Sequence, residues 1–337
     1  MLMGRRDMIP MKIAGWGAYR PERVVTSDEL DVRFDRPRGW SEAEFGIAAR
    51  HVAGPDETSS MMAATAAQGA LSRAGWDDGA FDVLIGGCGV MEQPIPSTAA
   101  LVQDRLGLGR SGIMAFDVNQ TCLSFLTALD IAAMGLSTGR WRRALVFASD
   151  IASAGLDPSR PKTMSIFGDG AAALAVEAAP GGTAGLLSSH FVTNGADHAL
   201  AQLRAGGTRI RVEQGYDALV AGSRFEMDAF GIFKAAARCL PGVLDRVLAD
   251  AGCTIDDVDT VVCHQASAPG VEHVRRLFEP RPERVIDIFA HTGNQIAASI
   301  PTVLAHGLET GRIAPGSTVL MLGTAAGISA GAMVLRV

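Results

Sequence analysis

The sequence predicts an α/β protein built from two duplicated halves stacked as a five-layered αβαβα sandwich. Three observations carry that prediction. Strand-like apolar runs alternate with helical stretches along the whole chain. Short strands such as FDVLIG at 81–86 are apolar on both faces, as a sheet covered on both sides requires. The order of elements in the first half then recurs in the second.

Taken in order, KIAGWGAYRPERVVTSDEL reads as a strand, a loop, a short strand and a helix entered through Thr26, Ser27 and Asp28. Residues 31–57 are charged and glycine-punctuated, and are predicted to be loop and short helix. Ser59–Ala74 is an alanine-rich helix closed by Gly75, followed by the buried strand at 81–86. Phe116–Leu129 (FDVNQTCLSFLTAL) passes from an apolar segment through Asp117, Asn119 and Gln120 into helical spacing at Leu123, Leu126 and Leu129. Cys122 therefore sits at a strand-to-helix corner, where unpaired N–H groups and the helix dipole bias a thiol towards thiolate. On this stretch alone, nucleophile and small packing thiol are equally good readings.

The repeat adds a second set of residues. ALSRAGWDDGAFDVLIGGC at 70–88 aligns with VLADAGCTIDDVDTVVCHQ at 247–265, the strand around Asp117 with that around Asp287, and STGR at 137–140 with ETGR at 309–312. RALVFAS is echoed by STVLMLG, and GDGAAALAVEA by the C-terminal GISAGAMVLRV. The halves are predicted at 1–178 and 183–337. Sites in open α/β sheets lie beyond the carboxyl ends of strands, and there the sequence places Cys122, then His264 after one strand, then Asn294 after a strand at 285–289. A cysteine with two neutral donors suits acyl transfer and enolate chemistry at a thioester. Singly, His264 also reads as a structural histidine and Asn294 as a turn residue.

Composition excludes several classes. At 337 residues, 48% hydrophobic and 20% charged, the chain is that of a compact protein. Its formal charge of −6 argues against a nucleic-acid binder. Five cysteines without CxxC suggest neither a disulfide framework nor a metal site, and point to a reducing cytosol; Cys88, Cys239, Cys253 and Cys263 are read as packing residues. The N-terminus, with Arg5 and Arg6, has no apolar h-region behind it, and no apolar run reaches membrane-spanning length, so no membrane association or targeting signal is expected. IFGDGAAA at 166–173 lacks the lysine and hydroxyl of a phosphate loop and reads as tight strand packing.

Several segments together resemble the β-ketoacyl-acyl-carrier-protein synthase III group of the thiolase-fold condensing enzymes. They are YRPERVVTSDEL, PSTAALVQDRLGL at 96–108, FDVNQTCLSF, IFGDGAAA, HQAS at 264–267 and GNQIAASIP at 293–301. The resemblance implies a cytoplasmic homodimer with the thiolase-like fold and no cofactor beyond its coenzyme A or phosphopantetheine thioester substrates. Cys122 would be the acylated nucleophile, and His264 and Asn294 would hold the carbonyl of a malonyl thioester while it loses carbon dioxide and condenses. Backbone N–H groups of Cys122 and Ala326 would form the oxyanion hole. Trp40 would stack an adenine, Ile95 would project into the partner's acyl tunnel and admit a chain longer than acetyl, and Lys234, Arg275 and Arg276 would meet an acyl carrier protein.

The chain departs from the family pattern beside the site. Ser124 replaces a glycine and is expected to add bulk near the acyl pocket, Ser267 replaces an asparagine, and Ala325 and Ala326 stand in a run usually of glycines. Glu44 and Pro269 stand where arginines are usual, which weakens acetyl-coenzyme A priming and suggests a specialised polyketide-type pathway. A simple acyltransferase acting on an oxygen or nitrogen nucleophile, and a non-catalytic scaffold subunit, are the competing expectations.

Overall fold

The computed structural model describes residues 8–337; Arg5 and Arg6 lie outside the described residues. The first half comprises β1 (Ile9–Tyr19), β2 (Arg23–Thr26), α1 (Ser27–Arg33), α2 (Trp40–Phe45), β3 (Ala49–Val52), α3 (Ser59–Ala74) and β4 (Val83–Gly86). It continues through α4 (Thr98–Arg105), β5 (Met114–Asp117), α5 (Ser124–Ser137), β6 (Arg143–Asp150), α6 (Pro161–Ile166) and β7 (Gly170–Ala178). Then come β8 (Gly185–Thr193), β9 (Ala201–Gln202), α7 (Tyr216–Gly222), β10 (Glu226–Met227), α8 (Ala229–Ala251), β11 (Thr260–Cys263), α9 (Ala268–Leu277), α10 (Phe289–Thr292), α11 (Ser299–Glu309), β12 (Thr318–Ala325) and β13 (Ser329–Arg336).

Local chemistry accounts for most boundaries. Thr26 caps α1 in a full capping box with Glu29, and Thr58 caps α3, which Gly75 ends in the left-handed conformation at φ 64°. The segment expected to be loop and short helix also contains a strand: β3 pairs antiparallel with β2, and its short length hides any period. The strand expected at 285–289 reduces to a single bridge, Val261 to Val285, because the chain turns into α10 at Phe289.

The strands run β11-β12-β13-β8-β1-β7-β6-β4-β5. β1 meets β8 only through Ile9–Leu186 and Pro10–Gly185, so the array divides into two sheets of like pattern. On one side β5, β4 and β6 are parallel and β7 and β1 antiparallel; on the other β11 and β12 are parallel and β13 and β8 antiparallel.

Strand alternation then makes the layers. In β6, Leu145 and Phe147 enter the core under α3, whereas Ala144, Val146 and Ala148 enter the middle core with α5 and α11. In β12, Val319 and Met321 face that middle core, and Leu320 and Leu322 face α8 and α9. The order is α3 and α4, sheet, α5 and α11, sheet, α8 and α9, which is the five-layered αβαβα arrangement. α5 and α11 are buried from both sides, which is why their segments carry almost no charge.

Candidate active site

Cys122 lies in a one-turn 3-10 segment, Thr121–Leu123, between β5 and α5. Thr121 is held at φ 49°, a left-handed conformation that a β-branched residue adopts only under constraint. The constraints are visible. Thr121 donates its N–H to Asn119 Oδ1 at 3.1 Å and its hydroxyl to Ala326 O at 3.3 Å, and Ser124 Oγ donates to Thr121 O at 2.7 Å while accepting from Gln120 N at 2.8 Å.

The second half contains the same elbow. Ile296 is at φ 52°, in a 3-10 turn Ile296–Ala298 that leads into α11, and it donates its N–H to Asn294 Oδ1 at 2.9 Å. Asn119-Gln120-Thr121-Cys122-Leu123-Ser124 thus corresponds to Asn294-Gln295-Ile296-Ala297-Ala298-Ser299, sharing Asn, Gln and Ser at the same places. This N-Q-x-x-x-S recurrence is a sequence signal that the longer strand alignments pass over. The two elbows meet at Gly89, where a methyl group would overlap Ile296 Cγ2 and lie 3.3 Å from Thr121 O.

His264 comes directly after β11 and donates its backbone N–H to Leu322 O at 2.9 Å. A methyl on neighbouring Gly323 would stand 2.8 Å from His264 Cβ and 3.2 Å from Leu123 Cδ2, so the histidine and the residue after Cys122 flank one glycine. Asn294 is buried and zipped by backbone bonds to the last residue of α6 and the segment beyond it, its N–H to Ile166 O at 2.7 Å and its carbonyl to Gly168 N at 3.2 Å. IFGDG is therefore a brace for Asn294, which goes beyond the tight packing expected of it. Gln265 anchors the histidine turn, donating to Ile286 O at 2.6 Å and accepting from Ile288 N at 3.1 Å.

Electrostatics correct one expectation. Burial pushes the half-buried Cys122 thiol up to about 12, and the Asp150 charge adds to it. The N–H groups of Ala326 and Cys122 and the Thr121 hydroxyl pull the other way and are outweighed. Cys122 thus rests as a thiol rather than the thiolate that the helix terminus alone implies. The same donors are informative: the backbone N–H groups of Cys122 and Ala326 converge on the sulfur. Burial holds His264 down to about 4, so its ring is neutral at pH 7, and its Nδ1 is buried without a hydrogen-bond partner among the described residues.

The remaining expected residues have more varied settings. Ser124 is fully buried with its hydroxyl bonded to the elbow backbone, so it braces Cys122 and adds no free bulk to an acyl pocket. Ser267 caps α9 by accepting from Gly270 N at 3.2 Å, and Pro269 stands in the first turn of that helix, where its missing N–H costs nothing. Ala325 closes β12, with Ala326 in the turn after it. Trp40 opens α2 with the Arg36 guanidinium 4.9 Å from its ring centroid, while Glu44 is exposed. Ile95 is 85% exposed. Lys234 is exposed, but Arg276 pairs with Glu272 at 3.0 Å and Arg275 with Glu272 at 3.7 Å and Asp287 at 4.0 Å. Among the described residues no cluster of metal-ligating side chains occurs, and no helix is long and apolar enough to cross a membrane.

The layering and the cysteine elbow define a thiolase-like enzyme. Profiles of 3-oxoacyl-(acyl-carrier-protein) synthase III match residues 116–195, and those of its C-terminal part match residues 248–337. The chain is 34% identical over 326 residues to a β-ketoacyl-(acyl-carrier-protein) synthase III of Neisseria meningitidis, covering 96% of this chain and 98% of that one. It is 35% identical over 332 residues to the enzyme of that name in Erythrobacter litoralis, covering 98% and 100%. The crystal structure of 3-oxoacyl-(acyl-carrier-protein) synthase III from Pseudomonas aeruginosa superposes with a TM-score of 0.88 at 31% identity, covering 97% and 98%. The chain belongs to the 3-oxoacyl-(acyl-carrier-protein) synthase III family.

Proposed function

We propose that the protein is a decarboxylative condensing enzyme in which Cys122, His264 and Asn294 carry the chemistry. Cys122 sulfur attacks the carbonyl of an acyl-coenzyme A or acyl-carrier thioester, the thiol leaves, and the tetrahedral oxygen is held by the N–H groups of Cys122 and Ala326. A malonyl thioester then binds with its carbonyl accepting from the neutral His264 ring and from Asn294. Carbon dioxide departs, the remaining electron pair becomes an enolate, and its carbon attacks the acyl-cysteine and releases the sulfur. An Nδ1 unpartnered among the described residues makes no claim on the ring proton, which leaves it available on Nε2 for donation.

One observation carries this reading. Asn294 Oδ1 is taken by Ile296 N–H, so the amide must present Nδ2, a donor, to the site. Plain acyl transfer to oxygen or nitrogen has no use for a donor pair on a second substrate. We extend the proposal to the assembly: the chain consists of two repeats, 1–178 and 183–337, and works as a cytoplasmic homodimer through the exposed apolar residues Val90, Met91 and Ile95. Its ligands are its substrates, with Trp40 at the nucleotide, and with Lys234 contributing more than the already paired Arg275 and Arg276 to an acidic carrier protein.

The test is intact-protein mass spectrometry after exposure to a panel of acyl-coenzyme A and acyl-carrier thioesters, with Cys122→Ala as control, followed by malonyl-carrier protein. An acyl adduct confined to Cys122 and release of carbon dioxide are expected. An acylated enzyme that releases none would overturn the condensation.

A further inference from the structure

Asp150 ends β6 and is completely buried. One carboxylate oxygen accepts the N–H groups of Gly89 at 2.9 Å and Val90 at 2.8 Å, and the other accepts those of Ala297 at 3.0 Å and Ala298 at 3.1 Å. Among the described residues no salt bridge reaches it. The titratable groups it acts on are Cys88 and Cys122, both pushed up in part by its charge; Asp117 and Glu92 also act on Cys88.

The repeat gives this carboxylate a meaning. Ala297 and Ala298 are the counterparts of Cys122 and Leu123; in the first half the Cys122 N–H faces the sulfur and the Leu123 N–H is donated to Gln120 O at 3.1 Å. Aligning β6 with β12 by the same offset places Asp150 opposite Ala325, which has no side-chain acceptor. The second elbow thus has its anion supplied by a side chain from the first half, while the first elbow has alanine at the aligned position and its Cys122 N–H faces the sulfur instead.

We propose that Asp150 is a positioning residue that couples the two elbows, fixing Asn294 relative to Cys122 and placing a negative charge beside the sulfur. Its bonds to Ala297 and Ala298 pin the turn that Asn294 enters, and those to Gly89 and Val90 pin the bend after β4 that packs on Thr121. Burial raises its carboxyl to about 7 in spite of the four donors, so the charge develops across neutral pH and opposes ionisation of Cys122. The proposal rests on the assignment of Cys122 and Asn294 made above.

Two substitutions separate the two effects. Asp150→Asn removes the charge at nearly constant size, and Asp150→Glu keeps the charge but lengthens the side chain. Alkylation of Cys122 by iodoacetamide, followed by peptide mass spectrometry, reads the charge without any substrate. At pH 8 the Asn variant is expected to alkylate ~10-fold faster than wild type, the effect of about one pKa unit, and the Glu variant within ~2-fold. Carbon dioxide release relative to Cys122 acylation reads the position of Asn294, and is expected to fall ~10-fold or more in both variants. A merely structural aspartate would not speed alkylation of one cysteine. Wild-type alkylation by the Asn variant, or an unchanged release-to-acylation ratio in either variant, overturns the proposal; if the Asn variant does not fold, the ratio in the Glu variant decides. Wild-type enzyme that is acylated but releases no carbon dioxide would defeat the functional reading, and the alkylation comparison would still stand.

Discussion

Asn294 accepts the backbone N–H of Ile296 on its side-chain oxygen at 2.9 Å, and Asn119 does the same for Thr121 at 3.1 Å. The bond holds a β-branched residue in left-handed conformation and decides which end of the amide faces outward. In the first half the left-handed turn carries Cys122, and in the second the proposed reaction makes the asparagine itself the presented group.

Replacing Asn294 by Ala should therefore affect the two half-reactions unequally. Acylation of Cys122 is expected within about threefold of wild type, whereas carbon dioxide release should fall ~10²- to 10³-fold, the usual effect of deleting one donor to a developing oxyanion. Single-turnover acylation by mass spectrometry and a carbon dioxide assay give the two rates.

Ser124→Ala removes the hydroxyl that serves both Gln120 N–H and Thr121 O. Leaving two half-buried groups unpaired should cost about 1–3 kcal/mol of stability. Denaturant titration reads that loss, and acylation of Cys122 should slow with it because the strained Thr121 loses a restraint.

The wild-type thiol, raised to about 12, should show no plateau in its alkylation rate below pH 10. The rate is expected to climb towards tenfold per pH unit above neutrality, once Asp150 is ionised. A plateau by pH 8 would mean that the helix terminus outweighs burial after all.

His264 and Asp150 bend stability with pH in opposite directions. His264 titrates near 4 folded and 6.5 in its ordinary state, so between these values the unfolded chain binds the extra proton and stability rises with pH. Its contribution is fully present above 6.5 and is lost as pH falls towards 4. Asp150 titrates near 7 folded and 3.8 ordinarily, so over the same window the folded chain binds the extra proton and stability falls as pH rises. Relative to wild type, Asp150→Asn should gain stability as pH rises from 4 to 6.5 and His264→Gln should lose it, as urea midpoints across that range would record.

Glu272 pairs with both arginines of α9, so Glu272→Gln should free Arg276 for an acidic partner and leave Arg275 with Asp287 alone. The KM for carrier-protein substrate is expected to fall two- to fivefold at low salt, with kcat unchanged, and the gain should fade in high salt.

The residues that were legible in the sequence are those with local patterns. A strand-to-helix change of period located Cys122, recurring glycines and aspartates exposed the repeat, and strand ends pointed to His264 and Asn294. Strand β3 and the true end of the 285–289 segment were not legible, because pieces of one to four residues have no period.

By itself the sequence determined the duplicated fold, the family and the three residues proposed for catalysis, since each rests on short-range periodicity or on motifs whose members lie close together. Only the tertiary structure decided what surrounds them: that Ser124 turns into the elbow, that IFGDG braces Asn294, and that Asp150 holds Ala297 and Ala298 from 147 and 148 residues away. It also decided that Cys122 rests as a thiol. Burial and the field of a distant carboxylate depend on which segments the packed layers bring together, and no local pattern encodes that.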